Sequence, residues 1–238
     1  MGSYNLFCIP YAGGSARTIY GKWTGILDPK TNVYYLELAG HGQRMNEPFH
    51  SSIQEAVEDM LEMIRPLITS DKPYALYGHS MGTVLVYELA AAIRAEGLPQ
   101  PAILFVSGRM PPHHFYKAEK VHLKSDELLI EYLKGIKGTP ASFFESKELL
   151  KIFIPILRND YRLIEEYQFQ EPAVCFDSDI VLFYSIQDFH VDKPGILEWE
   201  RYTKHSFKVF DFEGGHFFLN EVWRDLCLII NEELTANR

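Results

Sequence analysis

The stretch Tyr74-Ala75-Leu76-Tyr77-Gly78-His79-Ser80-Met81-Gly82 decides how this chain is read. Its first four residues are apolar or aromatic and fit a buried strand. From Met81 to about residue 96 the pattern is helical, and Gly97 stands where a helix favours a left-handed C-terminal residue. Between strand and helix lies G-x-S-x-G, a pattern that carries meaning only in this strand–turn–helix setting. So sharp a turn strains the serine backbone and projects its side chain above the sheet. Glycines flank it because a β-carbon at either place would strike the neighbouring strand or helix. Ser80 also opens a helix, where the dipole favours developing negative charge. It is the candidate nucleophile.

Outward from that turn, short apolar runs alternate with helix-period segments. Leu6 to Ile9, Val33 to Leu38, Tyr74 to Tyr77, Ile103 to Val106, Ile180 to Tyr184 and Phe207 to Phe212 read as strands. Helices are expected at about 16–27, 52–69, 81–96, 195–204 and 220–234, the second opened by the capping-box pair Ser52 and Glu55. Such alternation builds an α/β fold with a mainly parallel sheet covered on both faces. From Arg109 to Phe176 the rhythm breaks into helical patterns alone. Ser125 and Ser146 are expected caps, and Pro155 interrupts the second helix before Leu157 to Tyr167 resumes it. A block this long is no simple crossover, and it reads as a lid over a site or as packing helices beside the sheet. The chain is therefore expected to be one domain over 1–238 with a helical lid insertion at 109–176.

A serine hydroxyl needs a base at neutral pH. Nine histidines compete. His216 stands in the glycine loop Gly214-Gly215-His216-Phe217-Phe218 after the last strand, from which an imidazole can reach over the sheet edge. His79 lies inside the turn and should point away from Ser80. His113 and His114 fall in the helical block, and His41 follows another strand. His50, His122, His190 and His205 read as surface residues. The base needs an acid to fix its tautomer, and Asp188 lies just past the C-terminal end of the fifth strand, with Asp192 as its rival in the same loop. Ser80, Asp188, His216 is the chain order of α/β-hydrolases. The oxyanion donors should be the backbone N–H of Met81 and that of Ala12, or a neighbour one position either way, in Pro10-Tyr11-Ala12-Gly13-Gly14-Ser15. A phosphate cradle at the same glycines is disfavoured, because the P-loop lysine and spacing are missing.

Composition bounds the rest. The chain has 238 residues, 47% hydrophobic and 23% charged, enough for an ordinary core. Twenty-three basic against 32 acidic side chains leave a net charge of −9, which disfavours nucleic acid. Cys8, Cys175 and Cys227 are too few and scattered for a disulfide framework or zinc knuckle, and they read as small core hydrophobes in a reducing compartment. The strand-like run at Leu6 leaves no room for a signal peptide, Leu6 also spoils a myristoylation signal, and no apolar run approaches a membrane span. A cytoplasmic monomer without metal or cofactor is expected.

The surrounding sequence resembles the type II thioesterases that accompany non-ribosomal peptide and polyketide synthases. The resemblance covers nearly the whole chain: Pro10 to Ala16, Gly40-His41-Gly42-Gln43-Arg44, the Gly78 to Gly82 turn, Gly108-Arg109 with Pro112-His113, and Gly214 to Phe218. The insertion segment Ile154-Pro155-Ile156-Leu157-Arg158-Asn159-Asp160-Tyr161 is similar to the family's lid and is the most specific match. Ala39, Thr83 and Ser185 depart from the family pattern, and none removes a catalytic group. The resemblance implies an editing hydrolase that removes acyl groups from the phosphopantetheine arm of acyl or peptidyl carrier proteins through an acyl-enzyme on Ser80. Carrier proteins are usually acidic, so docking would need a local basic patch. A general carboxylesterase or lipase on the same fold and a non-catalytic carrier-binding module are the competing readings.

Overall fold

The computed structural model describes residues 4–114, 120–136, 138, 141–171 and 173–237. The remaining parts of the expected 109–176 insertion, 115–119, 137, 139–140 and 172, lie outside the described residues, as do the chain ends 1–3 and 238. Six strands, β1 (Tyr4–Ile9), β2 (Thr31–Tyr35), β3 (Tyr74–His79), β4 (Ile103–Ser107), β5 (Asp179–Ser185) and β6 (Phe207–Phe212), form one sheet in the order β2-β1-β3-β4-β5-β6. Every pairing is parallel. This is the α/β-hydrolase fold expected from the sequence.

Strand periodicity explains how the sheet is covered. Successive side chains point to opposite faces, so Phe7 and Ile9 join one core cluster while Leu6 and Cys8 join the other. The first cluster is closed by α2 (Ile53–Ile64) and α3 (Met81–Ala95), the second by α1 (Ala16–Tyr20) and α7 (Trp223–Ala236). β1, β3 and β4 are buried along their whole length, as central strands sandwiched between helices must be. Trp23, Tyr20 and Tyr77 meet edge to face at 4.8–5.5 Å under the sheet. Full burial of each such ring is worth roughly 1.5–3 kcal/mol.

Several boundaries differ from expectation. β2 ends at Tyr35, although Leu36 and Leu38 remain buried. Apolarity there reports packing against α2, while the ladder stops as the chain swings toward Gly40 (φ +80°). The expected helix at 16–27 is α-helical only to Tyr20 and tightens into a 3₁₀ turn over Gly21–Gly25, since two glycines weaken an α-helix by about 1 kcal/mol each. The 195–204 segment is a short α6 (Lys193–Ile196) followed by a 3₁₀ turn.

Within the insertion, α4 (Asp126–Gly135) and α5 (Lys147–Glu166) are the main helices, capped by Ser125 and Ser146 as expected. Pro155 does not interrupt α5, which runs through it for 20 residues. The buried face Ile154, Leu157, Asp160, Leu163 holds both halves in one line, and tertiary packing outweighs the single backbone hydrogen bond that proline removes. Among the described residues no helix is long and apolar enough to cross a membrane.

Candidate active site

The turn after β3 carries the strain the sequence implied. Ser80 has φ +53°, ψ −116°, the one non-glycine residue with positive φ among those described. Such backbone is costly for a residue with a β-carbon and persists where the surroundings enforce it. A β-carbon on Gly78 would lie 2.2 Å from the Gly82 carbonyl oxygen, and one on Gly82 would lie 2.5 Å from that of Ile9. The Ser80 N–H donates to the Ser107 carbonyl at 2.8 Å. The Thr83 hydroxyl sits 2.9 and 2.8 Å from the Gly78 and Ser107 carbonyls. Thr83, a departure from the family pattern, thus ties the elbow to β4.

The geometry brings Ser80, Asp188 and His216 together. His216 Nε2 is 2.8 Å from Ser80 Oγ, and His216 Nδ1 is 2.7 Å from Asp188 Oδ2. Because the carboxylate accepts only, Nδ1 carries the proton and Nε2 is left to accept from the serine hydroxyl. Both Asp188 and His216 are buried. Burial by itself raises the Asp188 carboxyl, but the hydrogen bond and charge of His216, with the His190 amide and charge, bring it below the usual range. The rival Asp192 is committed elsewhere: it caps α6 and accepts the Gly195 N–H at 2.9 Å. Ser185, another departure, donates its hydroxyl to the Gly214 carbonyl and so joins the acid loop to the base loop.

Two further histidines belong to this cluster. His79 does point away from Ser80: Nε2 donates to the His216 carbonyl at 2.9 Å and Nδ1 faces Ser107 Oγ at 2.9 Å. Desolvation above all, together with the charge of His216, lowers its pKa to about 3, so it is neutral scaffolding. His190, expected on the surface, is half-buried with its ring 4.7 Å from that of His216. His50 and His122 are also corrections. Both are buried, His50 against Asp59 and His122 against Glu165. An isolated histidine carries no periodicity signal, so its burial was invisible until the carboxylate partners were placed.

Ser80, His216, Met81 and Ala12 line one cavity of about 490 Å³, and Val121, Leu133, Phe153 and Leu157 of the insertion line it too. The helical block therefore contributes apolar side chains to the cavity that Ser80 lines. Ala12 lies in a turn closed by Gly14 N–H to the Tyr11 carbonyl at 2.9 Å. Sequence reasoning assigned no role to Glu37, His41 or Asp160, which grip this turn: the Gly13 N–H donates to Asp160 Oδ2 at 2.7 Å, and Ser15 Oγ to Glu37 at 2.6 Å. Among the described residues two sets place metal-ligand atoms within 4.8 Å of one another, Asp188 with His190 and His216, and His113 with His114 and Glu198. The first set is engaged in the hydrogen bonds above; in the second, His113 meets the Tyr202 hydroxyl and Glu198 meets Arg201. Cys8 and Cys227 are buried in the core, where desolvation raises both thiols, whereas Cys175 is half-buried in a loop.

An elbow serine within hydrogen-bond reach of a buried imidazole–carboxylate pair, at the carboxyl edge of a parallel sheet, defines the class: an α/β-hydrolase-fold hydrolase. A thioesterase-domain family model matches residues 4–234, and the chain belongs to the thioesterase family. It is similar to the gramicidin S biosynthesis protein GrsT of Aneurinibacillus migulanus, 37% identical over 91% of this chain and 83% of that one. The crystal structure of ClbQ from the colibactin non-ribosomal peptide/polyketide pathway superposes with a TM-score of 0.93 at 33% identity, covering 99% of this chain and 98% of that one. The type II thioesterase BorB from the borrelidin cluster gives 0.88 at 32% identity, over 98% and 93% of the two chains. The chain is a thioester hydrolase of the type II kind.

Proposed function

We propose that the chain hydrolyses acyl groups from the phosphopantetheine arm of carrier proteins, with Ser80 as nucleophile, His216 as general base and acid, and Asp188 as the acid that orients it. The observation carrying this reading is the continuous hydrogen-bonded line Asp188–His216–Ser80 opening into an apolar cavity roofed by the insertion. Ser80 Oγ attacks the thioester carbonyl while its proton passes to His216 Nε2. The oxyanion is met by the Met81 and Ala12 amides, each donor worth about 3–4 kcal/mol in such sites. The C–S bond breaks, the thiolate takes the proton from His216, and the acyl group stays on Ser80. Water then attacks the acyl-enzyme, giving its proton to His216; the C–O bond to Ser80 breaks, Ser80 Oγ takes the proton back from His216, and the acid leaves. Asp188 remains an anion throughout and holds the imidazolium that forms at each step.

A thioester carbonyl has weak resonance and a good leaving group, so this relay suffices. The insertion acts as a lid that admits the pantetheine arm, and the protein works as a monomer in the cytoplasm, clearing stalled or mis-primed carriers. Turnover of acetyl- and butyryl-carrier protein against p-nitrophenyl esters of the same acids tests the substrate. Faster release from the carrier is expected. Rapid ester turnover with tethered acyl groups left intact would make the chain a general esterase instead.

A further inference from the structure

Asp160 is a fully buried carboxylate on α5, 147 residues from the turn it holds. Its Oδ2 accepts the Gly13 N–H at 2.7 Å and lies 2.9 Å from His41 Nε2. The other ring nitrogen of His41, Nδ1, lies 3.0 Å from the Ala39 carbonyl oxygen. Both ring nitrogens of a buried imidazole therefore face acceptors. A neutral imidazole has one N–H. Placed on Nδ1, that hydrogen leaves the Nε2 lone pair against a carboxylate; placed on Nε2, it leaves the Nδ1 lone pair against a carbonyl. Only when the His41–Asp160 pair holds one proton more, so that both nitrogens are bridged, are all these contacts attractive.

The same α5 face grips Gly13 from above. A β-carbon on Gly13 (φ +75°) would lie 2.7 Å from Leu157 Cδ1 and 3.0 Å from the Phe153 ring. Phe153, Leu157 and Asp160 share one helix face by their spacing of four and three residues. The same turn, closed between Tyr11 and Gly14, carries the Ala12 amide. Glu37 holds the far side of the turn, accepting Ser15 Oγ and the Ala16 and Arg17 amides.

We infer that Asp160 and His41 are positioning residues forming a proton-dependent clasp, which locks the helical insertion onto the Gly13 turn and fixes the Ala12 amide for the oxyanion. This deepens the reading of Ser80 as nucleophile and rests on it. The charged groups facing the His41 ring are Asp160 from α5 and Glu37 from the segment after β2, and the Phe49 ring stands edge-on at 6.4 Å. Burial lowers His41, but the hydrogen bond and charge of Asp160, the Ala39 carbonyl and Glu37 together outweigh it and leave His41 above its ordinary 6.5. A histidine raised on folding gives its full stabilisation below the unfolded value and loses it as pH rises through the folded one. The clasp is thus closed on the acid side of the raised His41 value and opens as pH rises through it.

The test is the second-order rate of Ser80 labelling by a fluorophosphonate across pH, which reads the nucleophile and oxyanion site without a carrier substrate. The wild-type rate should fall on the alkaline side with loss of one proton. Asp160→Ala leaves the Gly13 amide unheld and should label about 10²-fold more slowly, the scale of a small misplacement in an active site, with no alkaline fall. His41→Gln keeps an N–H donor toward Asp160 at every pH, so it should lose much less rate at neutral pH and also lack the alkaline fall. That variant decides alone should Asp160→Ala not fold. An alkaline limb unchanged in His41→Gln, or absent from the wild type, overturns the clasp while leaving Ser80 as nucleophile. Absence of labelling at any pH instead overturns the reading of Ser80 itself.

Discussion

Ser80 is useful because its backbone is held where a serine does not rest by choice. The Gly78 and Gly82 contacts, the Ser107 carbonyl and Thr83 enforce φ +53° and aim Oγ at His216. Ser80→Ala should lower kcat by about 10⁶, the scale of nucleophile removal in a comparable relay. Asp188→Asn should cost on the order of 10⁴ by favouring the wrong imidazole tautomer. Asp192→Asn is the control. Asp192 caps a four-residue helix, so the change should cost a fraction of a cap, under about 1 kcal/mol of stability, with activity near wild type. A larger activity loss at Asp192 than at Asp188 would reverse the assignment of the acid. That Ser80, Asp188 and His216 would meet was legible in the sequence because each follows a strand end or a glycine turn. His79 was legible only in part: its direction follows from the turn, but its bond to the His216 carbonyl depends on a loop far along the chain.

At the scale of elements, α5 departs most from what local sequence rules suggest. Pro155 lacks an N–H for the Lys151 carbonyl, yet the helix runs on because its buried face is docked on the Gly13 turn and the rest of the insertion. Arg158 reinforces this by donating to the His122 and Lys124 carbonyls at 2.6 Å, and Arg162 donates to those of Ser51 and His50. Pro155→Ala should restore the missing hydrogen bond and raise stability by on the order of 1 kcal/mol, the net worth of one such bond, seen as a higher Tm in thermal unfolding. A lower Tm would mean that the helix needs its proline-adapted shape. The caps Ser52, Ser125 and Ser146 were readable because capping is local chemistry. The end of β2 was not, because burial continues past the last ladder bond and apolar pattern alone cannot separate the two.

Across the whole molecule, strand order was the least legible feature and the most consequential. Sequence alternation implies a parallel sheet, but only the order β2-β1-β3-β4-β5-β6 sets the turn after β3 within reach of loops after β5 and β6. The site then falls at the carboxyl edge of the strands, where open α/β sheets bind their ligands. The same arrangement buries a neutral histidine, and this couples global stability to pH. The unfolded chain protonates His79 below about 6.5, whereas the folded chain resists to about 3. The unfolded state therefore binds more protons, and stability falls as pH drops through that window, by up to about 1.4 kcal/mol per unit from this residue. Urea unfolding at pH 7 and pH 5 measures the difference. His79→Gln, which keeps the donor to His216, should show a shallower decline, and an unchanged decline would place the effect elsewhere.

Whether His216 activates Ser80 is read directly by one labelling experiment. Wild type and His216→Ala are treated with a fluorophosphonate near neutral pH, and peptide mass mapping locates the adduct. A single adduct on Ser80 in the wild type and near-complete loss of labelling without the imidazole are expected. An unmodified Ser80, or His216→Ala reacting at the wild-type rate, would contradict that activation.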